Sequence, residues 1–512
     1  MTTANDRSAF SELLPDNTFD AELIARTHPG DWKNPPPASS YNLVVIGAGT
    51  AGLVTAAGAA GLGARVALVE KNLMGGDCLN VGCVPSKAIL RSAHFYAEMK
   101  NALAFGSAEP PQIPIDFGRA MERMRAIRAH ISQHDSAQRF RDLGVDVFLG
   151  EAAFTGPRSV SVDGATLNFA KAVIATGARA ARPDIEGLDE AGYRTNETVF
   201  NLTERPKRLM VIGGGPIGCE LAQAFARLGC EVTIAQRARF FLPGEERDAA
   251  EILAQALARD GIQVRLNTEV KKVTRSGGER RVHLVSYDQE SVVAVDEILV
   301  GAGRVPNVRG LNLEAAGVTY DEDRGVHVDD RLRTSNRRIY AAGDVALEHK
   351  FTHMADATAR IVIQNALFLG RKKLSSLTVP WCTYTDPEIA HVGLYVREAR
   401  ERGIPVKTFT IPMSDVDRAI TDSEEEGFTK IHVREGTDTI LGATIVARHA
   451  GEMINEISLA MVAGIGLKTI SQVIHSYPTQ AEAIRKAADA YARTRLTPFL
   501  KRITTRWLAW SR

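Results

Sequence analysis

The sequence predicts an α/β protein built on two Rossmann-like dinucleotide-binding folds, followed by a C-terminal domain of another kind. Residues 41–70 and 208–235 each read as an apolar strand, a glycine-rich turn, a helix of small residues and a second strand, which is the pattern of a βαβ unit. From about residue 375 the texture changes to short strands of antiparallel character and then to helices from Glu452 and Leu467. Between the two units stand Cys78 and Cys83, a thiol pair set between a glycine-rich turn and a helix start.

A chain of 512 residues has the length for about two to four domains, and 45% hydrophobic residues supply their cores. Sixty-two Lys and Arg nearly cancel 61 Asp and Glu, so bulk charge points to neither nucleic acid nor an acidic partner. Five cysteines in such a length fit a reducing compartment rather than a disulfide scaffold. No secretory signal and no apolar run long enough to span a bilayer are visible, which makes the cytoplasm the expected location. Residues 1–40 form an N-terminal extension ending in Pro35-Pro36-Pro37-Ala38-Ser39-Ser40, with Leu13, Leu14, Phe19, Leu23 and Ile24 as candidates for packing on the body.

In the first unit the strand 41–46 enters Gly47-Ala48-Gly49-Thr50-Ala51-Gly52, and the second strand ends at Glu70. Gly47 would make the tight turn, Gly49 would admit a pyrophosphate, Gly52 would let the helix pack closely, and Glu70 would accept from an adenosine ribose. Next comes Gly75-Gly76-Asp77-Cys78, then Cys83-Val84-Pro85-Ser86-Lys87. Proline in the first turn marks a helix start, so Cys83 would sit where unpaired amides favour a thiolate, and Lys87 one turn on adds a full positive charge. Zinc sites need a second ligand pair, and Cys219, Cys230 and Cys382 are scattered, so no structural metal is expected. Residues 88–144 read as mostly helical with a break at 106–114, followed by short strands and a buried strand ending in Ala175-Thr176-Gly177.

The second unit repeats the glycines as Gly213, Gly215 and Gly218 but ends its second strand in Gln236-Arg237-Ala238-Arg239 instead of an acid. With no carboxylate to repel it and guanidinium groups near, a 2′-phosphate is welcome, so NADPH is favoured and NADH is the alternative. Another strand ends in Gly301-Ala302-Gly303-Arg304, and a later one in Ala342-Gly343-Asp344, where Asp344 would bond a ribityl or phosphate-proximal hydroxyl. The tail, 491–512, mixes Arg493, Arg495, Lys501, Arg502, Arg506 and Arg512 with Leu496, Phe499, Leu500, Ile503, Trp507, Leu508 and Trp510, a composition that either docks on its own protein or lies on an anionic membrane surface.

Together, Gly47-x-Gly49-x2-Gly52, Cys78-x4-Cys83 with Lys87, Thr176-Gly177, Gly213-x-Gly215-x2-Gly218, Asp344 and Pro478-Thr479-x2-Glu482 resemble the class I flavoprotein disulfide reductases, the pyridine nucleotide-disulfide oxidoreductases that include dihydrolipoyl dehydrogenase, glutathione reductase and mercuric reductase. The resemblance covers residues 41 to about 490. It implies an FAD domain in two parts, 41–180 and 306–374, interrupted by an NAD(P) domain, 181–305, then an α+β dimerisation domain, 375–490, and the basic tail. It further implies a redox-active Cys78–Cys83 disulfide, with Cys78 attacking substrate and Cys83 facing the flavin, and a Lys87–Glu220 ion pair beside the flavin. FAD would be held by Gly47, Gly49, Gly52, Glu70, Gly76, Asp77, Lys87, Ala152, Thr176, Gly177 and Asp344. The nicotinamide coenzyme would be held by Gly213, Gly215, Gly218, Gln236, Arg237 and Gly303. In the homodimer so implied, Tyr477 and Glu482 would be supplied to the other subunit.

One departure bears on substrate. Disulfide-reducing members place a histidine directly before the Pro-Thr as proton shuttle for the interchange thiol, held by the glutamate; here that position is Tyr477, as in mercuric reductases. Reference pKa values near 6.5 for His and 10 for Tyr make a phenol a poor general base at neutral pH. His475 lies two residues away and reads as structural, because a similar residue accompanies the base in dihydrolipoyl dehydrogenases. The metal-handling features of mercuric reductases are not seen either: 508–512 holds no vicinal cysteines and 1–40 no Cys-x2-Cys pair. The expectation is therefore a mercuric-reductase-like, FAD-dependent NAD(P)H oxidoreductase acting on a soft metal ion or small electrophile. Its alternatives are a dihydrolipoyl-dehydrogenase-type disulfide reductase and a membrane-associated NAD(P)H:quinone-type electron carrier.

Overall fold

The stretch Leu43–Ile46 of the strand Tyr41–Ile46 is apolar on both faces, a pattern that a strand satisfies only inside a sheet covered on two sides. The computed structural model describes residues 17–109, 111 and 113–512, and in it this strand is central. Val66–Glu70 pairs parallel on one side with Val145–Leu149 beyond it, and Ala165–Ile174 pairs parallel on the other. Helix Thr50–Gly61 makes the crossover between the first two strands. Ala165–Ile174 also closes an antiparallel meander with Ala152–Gly156 and Ser159–Val162. The last strand of this sheet, Ile339–Ala341, comes from far along the chain and pairs parallel with Ala165–Ile174.

What separates that strand from the rest is the second βαβ unit. Its sheet has Arg208–Ile212 flanked by Glu231–Ala235 and then Gln263–Arg265 on one side, and by Glu297–Val300 on the other, all parallel. The strand order matches that of the first sheet's parallel core, so the internal repeat is one of topology as well as of glycines. The first fold is thus interrupted by a second of the same strand order. The chain leaves and returns side by side, where Ala178–Ala180 pairs antiparallel with Arg304–Pro306. Separate cores fill the two folds: Val44, Ile46, Phe148, Phe154, Ile174 and Ile339 in one, and Met210, Ile298, Val282 and Leu188 in the other.

Ahead of the first strand, helix Thr18–Thr27 is opened by Asn17, whose side chain accepts the Asp20 N–H at 3.0 Å. Leu23 is fully buried and Phe19 and Ile24 half-buried, while Leu13 and Leu14 lie outside the described residues.

A second compact unit takes in Phe240–Asp260 and Thr378–Arg512. Its antiparallel sheet runs Pro380–Thr383, Glu388–Gly393, Ile440–Ala447, Phe428–Arg434, Val406–Pro412. Helices Ala450–Val462 and Glu482–Thr494 close a core that includes Val392, Ile431, Ile445, Ile457 and Ile484, an α+β arrangement. Phe240–Asp260 groups here through long-range polar contacts that local pattern does not reveal. Glu245 accepts from the Tyr395 hydroxyl at 2.6 Å and the Trp381 indole at 3.2 Å, and Lys430 pairs with Glu246 at 3.1 Å.

Candidate active site

The thiol pair is positioned by two left-handed glycines and two helix starts. Gly75 (φ 91°) and Gly76 (φ 58°) turn the chain into the short helix Gly76–Asn80, which carries Cys78; Gly82 then opens the long helix Cys83–Lys100 at Cys83 itself. Both cysteines are free thiols, Cys78 half-buried and Cys83 exposed. The Cys78 thiol donates a hydrogen bond to the Cys83 sulfur, and Thr352 Oγ1 lies 3.3 Å from it. That bond from Cys78 is the largest cause lowering the Cys83 pKa to about 6, outweighing partial desolvation, with the Thr352 hydroxyl and the Lys87 charge adding to it. Holding the shared proton pushes Cys78 in the opposite direction, well above an ordinary thiol. The pair is therefore asymmetric, with negative charge on Cys83 and a proton on Cys78.

Lys87, one turn into the same helix, binds Glu220 at 2.6 Å, and Glu220 projects from helix Pro216–Arg227 of the second fold. The carboxylate is almost wholly buried, its side chain 6% exposed, so the ammonium is held in place beside Cys83. Two of the three other cysteines, Cys219 and Cys230, are of a different kind. Burial pushes Cys219 above the ordinary thiol range and Cys230 up to about 12, which leaves both as inert thiols.

Each of the two dinucleotide-type folds carries a glycine cradle. A Cβ on Gly47 would stand 2.4 Å from the Ala175 carbonyl oxygen, and one on Gly213 2.5 Å from that of Gly301, so each turn nests against the end of its fold's fourth strand. Gly52 and Gly218 are as tightly placed against the carbonyls of Gly47 and Gly213. Gly49 and Gly215 cap their helices without a side-chain bond, an arrangement suited to phosphate at the first-turn amides. The backbone of the redox loop meets the first cradle directly: a Cβ on Gly76 would lie 2.5 Å from Gly49 Cα. This all-backbone cleft fits the pyrophosphate of a flavin dinucleotide.

The terminal residues of the two second strands are also equivalent. Glu70 accepts the Ala48 N–H at 2.6 Å and the Asn72 N–H at 2.8 Å, while Gln236 accepts the Gly214 N–H at 2.8 Å. The second cradle thus has a neutral amide where the first has a carboxylate, with Arg237 exposed beside it. Asp77 and Asp344 converge on Arg304, which ion-pairs with Asp77 and approaches Asp344 to 3.7 Å; burial raises the Asp344 carboxyl pKa. Thr176 donates to the Asn307 carbonyl at 2.7 Å, and the Asn307 amide returns a bond to Thr176 at 2.9 Å and donates its backbone N–H to Gly177 at 2.9 Å. Gly303 (φ 118°) accepts from Ala181, and Ala152 heads a strand opposite Val162, half-buried. Arg304 and Asn307 are the residues sequence reasoning missed here; their only signal is that they follow the glycine turn ending at Gly303.

Reasoning from sequence also missed a brace behind the redox loop. Asp20, in the N-terminal helix, binds Arg128 at 2.5 Å and lies 3.6 Å from Arg125, all three side chains at most 5% exposed. Arg128 also donates to the Asn80 carbonyl at 2.8 Å, and the Asn80 side chain donates to the Gly76 carbonyl at 2.8 Å. The Met74 N–H reaches the Thr27 carbonyl at 3.2 Å, and His28 Nδ1 lies 2.7 Å from the Asn72 carbonyl.

Tyr477 and Glu482 belong to the C-terminal unit. The Tyr477 hydroxyl, exposed, donates to Asp417 Oδ2 at 2.9 Å, and that carboxylate raises its pKa further. Glu482 is buried and accepts from Arg485 at 2.7 Å, so the two residues are not hydrogen-bonded to each other. Both ring nitrogens of His475 are engaged, Nε2 with Glu456 at 2.9 Å and Nδ1 with the Val473 carbonyl at 3.2 Å.

Residues 41–360 match the model of the pyridine nucleotide-disulphide oxidoreductases, and residues 379–488 that of their dimerisation domain. A mercuric reductase of Staphylococcus aureus is 35% identical over 468 residues, covering 90% of this chain and 85% of that one. A dihydrolipoyl dehydrogenase of Thermus scotoductus is 36% identical over 464 residues, 88% of this chain and 97% of that one. Among solved structures, the Cu(II) complex of the HOCl-induced flavoprotein disulfide reductase RclA from Escherichia coli superposes with a TM-score of 0.78 at 31% identity, covering 87% of this chain and 98% of that one.

Proposed function

Because the chain belongs to the pyridine nucleotide-disulphide oxidoreductases, FAD-containing oxidoreductases that use a pyridine nucleotide, we propose that it is a mercuric-reductase-like NAD(P)H oxidoreductase that sends electrons through Cys78 and Cys83 to a soft metal ion or small electrophile. The observation that carries this reading is Tyr477. Reduction of a disulfide substrate needs a proton delivered to the departing thiolate, and a phenol already donating to Asp417, its pKa raised by that carboxylate, does not cycle one at neutral pH. A soft cation needs only electrons and thiolate ligands. Both the mercuric reductase relative and the Cu(II)-bound relative support that class of acceptor.

FAD, when bound across the Gly47–Gly49 and Gly75–Gly76 cleft, supplies the two-electron relay between nicotinamide and dithiol. The residues of this chain set the charge around it. Cys83 holds a thiolate stabilised by Cys78, Thr352 and Lys87, Glu220 fixes Lys87, and Cys78 would become the second thiolate ligand when a soft cation displaces its proton to solvent. NADPH is the preferred reductant over NADH, since the neutral Gln236 and the exposed Arg237 suit a 2′-phosphate. The enzyme acts as a homodimer in which Tyr477 and Glu482 serve the other subunit's thiols.

The runner-up, a dihydrolipoyl-dehydrogenase-type enzyme, draws on the Thermus scotoductus relative and requires a base other than Tyr477. Steady-state NADPH oxidation with Hg(II), Cu(II), lipoamide and glutathione disulfide separates the two. Metal-dependent turnover with slow disulfide turnover is expected, and Tyr477→His should raise the disulfide rate by about 100-fold, the lower end of what a placed general base contributes. Rapid disulfide turnover by the natural chain, unchanged in Tyr477→Phe, would overturn the reading.

A further inference from the structure

We propose that the C-terminal helix Pro498–Trp510 is an in-plane anchor for an anionic lipid bilayer surface. The helix is locally encoded: Thr497 caps it by accepting the Leu500 N–H at 3.2 Å, and Pro498 occupies its first turn. Every residue of it is exposed, so it packs into no core of its own unit. At 100° per residue Phe499, Leu500, Ile503, Trp507 and Trp510 fall on one face. These are large apolar side chains in water, with Trp510 79%, Phe499 70% and Trp507 64% exposed, and the two indoles lie against each other with centroids 5.5 Å apart.

Charge decides what covers that face. Arg502 and Arg506 border it on one side and Lys501 stands on the other, while no Asp or Glu occurs anywhere from 491 to 512. Among the described residues Lys501, Arg502, Arg506 and Arg512 make no ion pair with the protein. A second copy of the helix would bring like charges together, whereas anionic headgroups neutralise them and accept the indole N–H groups at the interface. A helix of 13 residues is too short to span a bilayer, which takes about 20, and no helix among the described residues is long and apolar enough to do so. The segment also lies beyond residues 379–488, which match the dimerisation domain.

Co-sedimentation of the full holoprotein with vesicles tests this. It should pellet with phosphatidylcholine vesicles containing phosphatidylglycerol, remain in solution with phosphatidylcholine alone, and be released by high salt. The double variant Arg502→Glu, Arg506→Glu should bind about tenfold or more weakly, with NADPH oxidation in buffer unchanged; Trp507→Ala, Trp510→Ala should abolish the vesicle-induced blue shift of tryptophan emission. The proposal fails if the natural chain does not pellet with anionic vesicles, or if the charge-reversed chain pellets equally. It also fails if the tryptophan variant instead loses an oligomer that forms without lipid.

Discussion

One hydrogen bond separates the fates of two chemically identical side chains. Cys78 gives its proton toward Cys83, and Cys83, with Thr352 and Lys87 beside it, carries the negative charge. An ordinary thiol titrates near 8.5, so a pKa lowered to about 6 means that the Cys83 thiolate is present at neutral pH and is lost as pH falls through about 6. In the dithiol form, iodoacetamide should therefore modify Cys83 with a midpoint near that value. Lys87→Met should move the midpoint up by roughly one unit, toward the ordinary thiol. A midpoint unmoved by removing Lys87 would deny the ammonium its role. The sequence showed Cys83 at a helix start and Lys87 a turn away, since both follow from local spacing. It did not show Thr352, which reaches the thiol from a helix far along the chain.

At the scale of elements, the one charged tie described between the N-terminal helix Thr18–Thr27 and the redox loop runs through a buried carboxylate, beside the Met74–Thr27 backbone bond. Asp20 offsets the charge of Arg128, which holds the Asn80 carbonyl, and approaches Arg125, whose guanidinium donates to the Phe200 and Leu202 carbonyls at 3.2 and 2.9 Å. Asp20→Ala would take from two buried guanidinium groups the carboxylate they share and should lower the unfolding free energy by about 3–5 kcal/mol, read by urea denaturation. A loss below about 1 kcal/mol would mean that water or another group already compensates the arginines. Hydrophobic pattern made Leu23 legible as a packing residue. The brace was invisible because a charged residue reads as surface until a partner distant in sequence is placed against it.

At the scale of the molecule, the chain builds one sheet, leaves it to build a second, and returns to finish the first with Ile339–Ala341. Both cradles are thus made from one repeated βαβ solution, and the Lys87–Glu220 pair joins helices from the two folds. The proposed homodimer makes a prediction at this scale: light scattering at micromolar concentration should give about twice the chain mass. A monomer with full metal-dependent turnover would exclude a contribution of Tyr477 and Glu482 across subunits.

What the amino-acid sequence determined unaided were the features written within a turn or two of chain: both glycine cradles, the helix start at Cys83, the strand ends at Glu70 and Gln236, and the basic aromatic tail. Each needs only local spacing, because a turn, a cap or an amphipathic face is specified by neighbours. Tertiary structure decided the rest: the proton asymmetry between the thiols, Arg304 shared by Asp77 and Asp344, the Asp20 brace, and the grouping of Phe240–Asp260 with the C-terminal unit. Those depend on charges and hydrogen bonds between residues separated by tens to hundreds of positions. Such contacts acquire their energy only when folding removes water from both partners at once.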